Sequence, residues 1–224
     1  MMPAIASQKR RAVIRIIGVA IVVALGCGVH PGPAAADSIN LTVPNESALT
    51  PGLIYATVTW NVTGTTVNFT VDPNGAVLGT GRNFGVQAFF FNTNLTLAAS
   101  DFTLPSSWGV SSGQNADGFG KFGIETSGTG STRQDPLSFS ITNSSISSTS
   151  QFFLLSSLPA GNGQGHFAAH IAGFPDADPG SGTVTSSYFR DGNTPGGGTA
   201  PIPSSLLLLG TGLGVLAAFR RSNR

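Results

Sequence analysis

Charged side chains are scarce in this sequence. Only 11 basic and 10 acidic residues occur among its 224, whereas charged residues usually make up about a quarter of a soluble domain. Strong helix formers are also few, because Gly, Ser, Thr and Asn together supply 90 residues. This composition argues against a helical bundle and against an ordinary cytosolic enzyme.

Positive charge is almost missing from the interior of the chain. Four basic residues precede the first apolar run, and three follow the last one. The segment between them holds all ten acidic residues and only four basic ones, which gives no support for a nucleic-acid-binding surface. Basic residues beside apolar runs are typical instead of segments that direct a protein into or across a membrane. The four interior bases are Arg82, Lys121, Arg133 and Arg190.

The N-terminus has the three parts of a secretory signal peptide. Basic residues ending at Arg15 are followed by an apolar run over 16–25, which is too short to cross a bilayer as a helix. The small residues Ala34-Ala35-Ala36 then form a cleavage site. Cleavage after Ala36 makes residues 1–36 the signal peptide and Asp37 the first residue of the mature chain.

Cysteine is nearly absent as well. The single one, Cys27, lies inside the predicted signal peptide. The mature chain would therefore form no disulfide, use no thiolate nucleophile and bind no metal through sulfur. We expect it to carry no cofactor.

The C-terminus has a proline motif, an apolar run and a basic cluster in succession. A Gly-rich linker over 194–200 leads into the segment 201–224. Residues 204–219 are uncharged and Leu-rich, and as a helix they would measure about 24 Å, slightly less than the hydrocarbon core of a bilayer. The basic residues that follow would stay cytoplasmic. The residues that carry this motif are Pro201, Ile202, Pro203, Ser204, Arg220 and Arg221.

This C-terminal segment resembles the PEP-CTERM sorting signal, with Ile202 at the position of that family's glutamate. The resemblance implies a protein of a Gram-negative bacterium that is recognised by exosortase, with 204–219 as a transmembrane sorting helix. It also implies an inner-membrane intermediate followed by delivery to the cell surface or the medium. A plain membrane anchor that is never cut is the alternative.

The segment 37–193 shows the period of two that is typical of β-strands. Apolar residues Ile54, Ala56, Val58, Trp60 and Val62 alternate with Tyr55 and polar residues, and the alternation resumes after Thr63-Gly64-Thr65, which predicts a hairpin. Many short runs separated by turn residues favour an all-β domain, an antiparallel β-sandwich of jelly-roll or immunoglobulin-like kind with eight to ten strands. Its core would be built from Phe, Trp60 and Trp108. Further strands are predicted at 84–91, 95–98, 122–125, 137–141, 152–155, 167–172 and 184–189.

Parts of this segment also resemble a core domain that recurs in front of PEP-CTERM tails. The matching residues are 117–122, 137–141 and 167–171. The resemblance implies an exported β-rich protein of unassigned activity, and it brings no catalytic residues with it.

Two glycine motifs could suggest an enzyme. Residues 109–113 fit the G-x-S-x-G nucleophile elbow, and residues 118–123 fit the G-x-G-x-x-G phosphate loop. Both chemistries need a helix after the motif, and no helical pattern follows either one. We therefore predict no catalytic and no cofactor-binding residue, and we interpret the second motif as glycines that allow bends beside packed Phe.

Metal ligands are equally sparse. His166 and His170 would share one face of a strand, but two imidazoles alone make an incomplete zinc site. Asp176 and Asp178 have the spacing of a calcium loop that lacks the terminal glutamate. We predict no metal site, with calcium at Asp176 and Asp178 left open.

Together these features predict a non-enzymatic exported surface or extracellular-matrix protein. Its expected partners are exosortase, the export machinery, the inner membrane in transit and extracellular polysaccharide, with no nucleic acid. The alternative is a secreted carbohydrate-binding module or carbohydrate-active enzyme with the same sorting tail. Arg10-Arg11 leaves the general and the twin-arginine export routes open, and nothing in the sequence indicates the oligomeric state.

Overall fold

The regular secondary structure of the described residues is almost entirely antiparallel β-sheet, as the sequence predicts. A computed structural model describes residues 36–177 and 183–192. Helical structure within them amounts to a four-residue helix α1 (Gly75–Leu78) and two 3-10 turns, Ala99–Asp101 and Thr149–Phe152. The strands are β1 Asp37–Pro44, β2 Ala56–Thr63, β3 Thr66–Pro73, β4 Gly85–Phe91, β5 Phe102–Thr103, β6 Gly109–Asn115, β7 Lys121–Ser127, β8 Leu137–Thr142, β9 Phe167–Ala172 and β10 Ser186–Asp191.

All ten strands belong to one sheet with the order β5-β8-β3-β2-β1-β10-β9-β4-β7-β6. Four strands separate β3 from β4 in this order, yet the rings of Phe69 on β3 and Phe91 on β4 lie 5.3 Å apart. The sheet therefore curls until its two halves pack face to face and nearly close around a core. This arrangement is consistent with the predicted sandwich class.

The predicted hairpin is confirmed as β2 and β3. Thr63 pairs with Thr66, so the turn consists of Gly64 and Thr65 alone. Gly64 has a φ of 61°, a left-handed conformation that glycine adopts at little cost. A short turn of this kind fixes the register, which places Trp60 opposite Phe69 on the core face.

Tyr55 departs from the predicted alternation. It is only 1% exposed, whereas Ile54 is 42% exposed. The reason is that β2 begins one residue later, so Tyr55 is free to turn inward. Its hydroxyl donates to the Thr50 carbonyl at 2.7 Å, and its ring lies 4.6 Å from that of Phe189.

Phenylalanine dominates the core, as the sequence predicts. Phe69 lies at its centre, with five other rings within 6.3 Å. Trp60 and Trp108 belong to the same cluster. The buried phenylalanines of the described residues are Phe69, Phe89, Phe90, Phe91, Phe119, Phe122, Phe139, Phe152, Phe167, Phe174 and Phe189.

A second, smaller apolar cluster covers part of the outer face of the sheet. Ala88 and Phe90 alternate along β4 with Phe89 and Phe91, so they point away from the main core. The turn between β6 and β7 folds over them. Tyr188 packs against the edge of this cluster, which also contains Ala116, Phe119, Phe122 and Ala168.

Two predicted strands are wrong. Residues 95–98 form no strand, and at 152–155 a 3-10 turn ends at Phe152 without a strand after it. Leu95, Leu97 and Phe153 nevertheless pack against the core. Their apolar character reflects burial by irregular segments that cover the sheet, which periodicity alone does not distinguish from a strand.

Replacing Thr126 with valine is expected to raise the free energy of unfolding by about 1 kcal/mol. The Thr126 hydroxyl on β7 is fully buried and has no hydrogen-bond partner among the described residues. Valine has a similar shape and removes this unsatisfied group. Denaturation by urea, followed by tryptophan fluorescence, measures the change.

The matched control for this prediction is Thr142→Val. The Thr142 hydroxyl lies 2.9 Å from that of Thr66, so its removal breaks a hydrogen bond at an exposed position. No gain in stability is expected there. A lower free energy of unfolding for Thr126→Val than for the unmodified protein would contradict the prediction.

Candidate functional site

The outer face of β9 and β10 carries a stacked pair of aromatic side chains. Phe189 and Ala169 on these strands point into the core, so their neighbours Tyr188 and His170 point outward. Tyr188 and His170 are cross-strand partners. Their ring centroids are 4.4 Å apart and their planes differ by 11°. Both side chains are half-buried, so part of the pair faces solvent.

Next to this pair, one step along the same two strands, lies an open cavity of about 350 Å³. Ser186 and Ala172, the adjacent outward pair of β10 and β9, form part of its wall. We call the cavity the arginine groove, because two of the four basic residues in the described part of the chain line it. Its lining is Arg82, Arg133, Ala172, Gly173, Phe174, Thr185 and Ser186.

Neutral acceptors position the Arg133 guanidinium in this groove. Its Nε donates to the Gln87 side-chain oxygen at 2.9 Å, and its Nη1 donates to the Asn83 carbonyl at 3.2 Å. Neither acceptor is charged, so these two hydrogen bonds do not compensate the charge of the guanidinium. A guanidinium has five N–H donors, so several remain for a ligand.

The segment that carries Arg133 is anchored on both sides. On one side, the Trp108 indole donates to the Thr132 carbonyl at 2.7 Å. On the other, Gln134 and Val86 exchange two backbone hydrogen bonds, of 2.8 and 3.0 Å. The backbone at Arg133 is therefore fixed before any ligand arrives, which lowers the entropy cost of binding.

Arg82 is placed by a close backbone approach. The Gly81 N–H donates to the Gly173 carbonyl at 2.8 Å. Gly173 has a φ of 83°, and a Cβ there would lie 2.6 Å from the Asn83 carbonyl oxygen. Only glycine allows the segment around Arg82 to rest on β9 in this way.

Neither groove arginine forms an ion pair with another residue in the part of the chain that the structure describes. The single ion pair formed by the described residues joins His166 and Asp191. Burial, with a smaller contribution from the nearby Arg133, lowers the pKa of His170 to about 4 against the opposing effect of Asp117. His170 is therefore neutral near pH 7, and the positive charge of this region resides on the two arginines.

Carboxylates lie on the other side of the aromatic pair. The Asn45 amide donates to Asp117 at 2.7 Å, and its oxygen accepts the Tyr188 backbone N–H at 2.9 Å. Glu125 on β7 accepts a hydrogen bond from the Ser111 hydroxyl at 3.1 Å. Burial raises the pKa of Tyr188, and both carboxylates add to this shift. The Tyr188 phenol therefore stays protonated.

The glycine motifs have structural roles. Residues 109–113 lie in β6, where Ser111 faces Glu125 rather than a histidine. In the second motif, Gly118 and Gly120 have φ values of 89° and 88° beside the buried Phe119. The interpretation of this second motif as bends beside packed Phe is confirmed.

The prediction that His166 and His170 share a face of one strand is wrong, because β9 begins at Phe167. The His166 Nδ1 lies 2.8 Å from an Asp191 oxygen, and its ring stacks on Phe153 at 3.8 Å. Asp191 is buried and also accepts the His166 backbone N–H at 2.7 Å. His166 is thus held at the end of the sheet, whereas His170 stacks on Tyr188.

Metal-ligating side chains do not converge in the described ranges, where no group of three or more His, Cys, Asp or Glu could hold an ion. Asp176 accepts the Val184 backbone N–H at 2.7 Å, as turn residues do. Asp178, its partner in the possible calcium loop, lies outside the described residues.

Most of the predicted sorting and cleavage residues lie outside the described part of the chain. This holds for Ala34 and for the motif from Pro201 to Arg221. Ala36 and Asp37 are described, and Asp37 is the first residue of β1. No helix within 36–177 or 183–192 has the length and apolar character that a membrane crossing requires.

The groove and the aromatic pair beside it were not predicted from the sequence. Arg82 and Arg133 in the groove and Tyr188 in the pair are distant in the chain and belong to no motif. The one available signal is that Arg82 and Arg133 are two of only four bases between the termini.

Comparison of this chain with known protein families, with curated proteins and with solved structures gives no match. The chemistry of the groove and the pattern of the termini therefore carry the functional conclusions.

Proposed function

We propose that this chain is a non-enzymatic protein that is exported, sorted by exosortase and displayed at the cell surface or in the extracellular matrix, where its β domain binds polysaccharide. The observation that carries the binding role is the arginine groove beside the Tyr188 and His170 pair. An open cavity with a few oriented polar groups and an aromatic wall is the usual form of a ligand site.

Export in this proposal rests on the two ends of the sequence. The predicted signal peptide ends at Ala36, so the proposed cleavage falls immediately before Asp37, the first residue of β1. The Pro201 to Arg221 segment is the proposed exosortase signal, by its resemblance to PEP-CTERM tails. Passage through the inner membrane as an intermediate follows from the same resemblance.

A secreted carbohydrate-active enzyme is the rival function. Glycosidases use a pair of carboxylates that converge on the scissile bond. The described residues that line the groove include no carboxylate, and the Ser111 hydroxyl is bonded to Glu125. These contacts favour binding over hydrolysis.

We also propose that the curled sheet is a sandwich of the jelly-roll or immunoglobulin-like class. A jelly-roll or immunoglobulin-like sandwich is typical of extracellular binding domains, and it presents sheet faces and loops to ligands. The single curled sheet supports this class through the packing of β3 against β4.

The intact mass of the protein recovered from the cell surface and the medium tests the export proposal. The host is an exosortase-bearing Gram-negative bacterium, and a tag inserted at Gly196 to Gly198 allows recovery of the protein. We expect a species that begins at Asp37 and lacks the residues beyond the Pro201-Ile202-Pro203 region.

The matched control is the same host without its exosortase, in which the tail should be retained. A membrane-bound species that still ends at Arg224 in the exosortase-bearing host would contradict the proposal and would identify the tail as a plain anchor.

A further inference from the structure

We infer that the arginine groove binds the anionic group of an acidic polysaccharide, with Arg82 and Arg133 on the oxyanion and the Tyr188 and His170 pair beside the sugar ring. The inference rests on the proposed function, because it names the ligand class of the proposed polysaccharide site. The oxyanion is the carboxylate of a uronic acid or the sulfate of a sulfated sugar, which offer the same acceptors to a guanidinium.

The two guanidiniums are available to such a group. Arg133 is oriented by the neutral oxygens of Gln87 and Asn83. Arg82 is exposed and makes no hydrogen bond or ion pair with any other described residue. Two cations that form no ion pair within 36–177 and 183–192 attract an anion to the wall of this cavity. Charge-assisted hydrogen bonds to oxyanions are about twice as strong as neutral ones.

The hydroxyls of the lining and the neighbouring aromatic pair suit a sugar. Thr185 and Ser186 supply hydroxyls that can pair with those of a saccharide, whereas Phe174 and Ala172 are only 3% and 1% exposed and offer it almost no apolar surface. The Tyr188 and His170 pair lies two residues further along the strands, which is about 6.7 Å. A ligand that spans both therefore needs an anionic group next to an apolar ring face, as acidic sugars have.

Because acidic residues outnumber basic ones in the domain, the groove is the place where a polyanion is expected to bind. The described residues include nine acidic and only four basic side chains, so most of the surface repels a polyanion. The other two bases, Lys121 on β7 and Arg190 on β10, do not line the groove. Anion binding is therefore expected at the groove rather than across the surface.

Binding of defined polysaccharides to the full chain, purified in detergent, tests the inference. The probes are polygalacturonate, dextran sulfate and neutral dextran, titrated by calorimetry at physiological salt. We expect at least one of the two polyanions to bind, and the one that binds identifies carboxylate or sulfate as the source of the oxyanion.

Arg82→Gln and Arg133→Gln should each weaken the binding of that polyanion about tenfold or more. Lys121→Gln removes the same charge outside the groove and should change binding less than twofold. Arg82→Gln keeps the test valid if loss of the Arg133 contacts impairs folding, because Arg82 makes no contact of that kind.

Three outcomes would overturn the inference: no binding of either polyanion, equal loss in all three variants, or binding of neutral dextran that Arg82→Gln leaves unchanged. The last would leave polysaccharide binding in place. Failure of the export proposal would be visible separately in the intact mass of the recovered protein.

Discussion

Replacing Phe69 with alanine is expected to lower the free energy of unfolding by about 4 kcal/mol. Phe69 is 1% exposed on β3, and five rings surround it. These rings come from both halves of the curled sheet, as the contacts with Phe139 on β8 and Phe91 on β4 show. A close-packed interior collapses only partly around a deleted ring, so a cavity remains and adds to the lost transfer free energy.

Urea denaturation of the Phe69→Ala protein, followed by the fluorescence of Trp60 and Trp108, measures this loss. Phe69→Leu retains most of the apolar volume and should cost clearly less. Leu158→Ala is the surface control, because Leu158 is 72% exposed and should cost less than about 0.5 kcal/mol. A loss below 1 kcal/mol for Phe69→Ala would show that the two halves of the sheet do not pack as described.

Acidification is expected to destabilise the fold through His170. Burial and the charge of Arg133 hold the pKa of His170 at about 4 in the folded protein, against 6.5 for the unperturbed side chain. Between these values the unfolded chain binds a proton that the folded chain does not. Stability therefore falls as the pH drops from 6.5 to 4, and the loss reaches about 3 kcal/mol near pH 4.

His170→Phe isolates this effect, because phenylalanine keeps a ring against Tyr188 and does not titrate. Carboxylates also titrate at low pH, so the informative quantity is the free energy of unfolding of the variant minus that of the unmodified protein. This difference should grow as the pH falls from 7 to 4 and stay constant above pH 7. Parallel pH profiles for the two proteins would contradict the prediction.

The strands that the sequence predicted best are those with one face in the core. In β2 and β3 the alternation marks the buried face, and Gly64 marks the turn. β9, in which five of six residues are buried, was predicted as a continuous apolar run, and its observed bounds agree. In these strands the side chains carry the information, because burial selects apolar residues at every second position where one face is buried and at successive positions where both are.

β1 was missed although Ile39, Leu41 and Val43 alternate along it, whereas β6 and the mispredicted segments lack this signal. β6 contains the sequence GVSSGQN, and most of its residues are exposed, because it is an edge strand that pairs through its backbone. Residues 95–98 and 152–155 are apolar, but they cover the core without joining the ladder. Backbone pairing leaves no mark on side-chain type, so these differences could not be predicted.

For the candidate site, the sequence showed that interior basic residues are few, but it did not show that two of them line one cavity. Arg82, Arg133 and Tyr188 are separated by about fifty residues each along the chain. They lie near one another for two reasons. The sheet order places β9 between β10 and β4, and hydrogen bonds from Trp108 and Val86 hold the Arg133 segment beside β4. Contacts of this kind are non-local and follow from topology rather than from any motif.

By itself the sequence determined the β class of the domain and its Phe-rich core, because period-two patterning and turn residues act locally. Only the tertiary structure decided which polar side chains share a surface. It separated His166 from His170 by beginning β9 at Phe167, and it placed Arg82 and Arg133 on the wall of one cavity. The physical reason is that the curl of a ten-stranded sheet sets long-range neighbours through strand order and register, which side-chain composition does not encode.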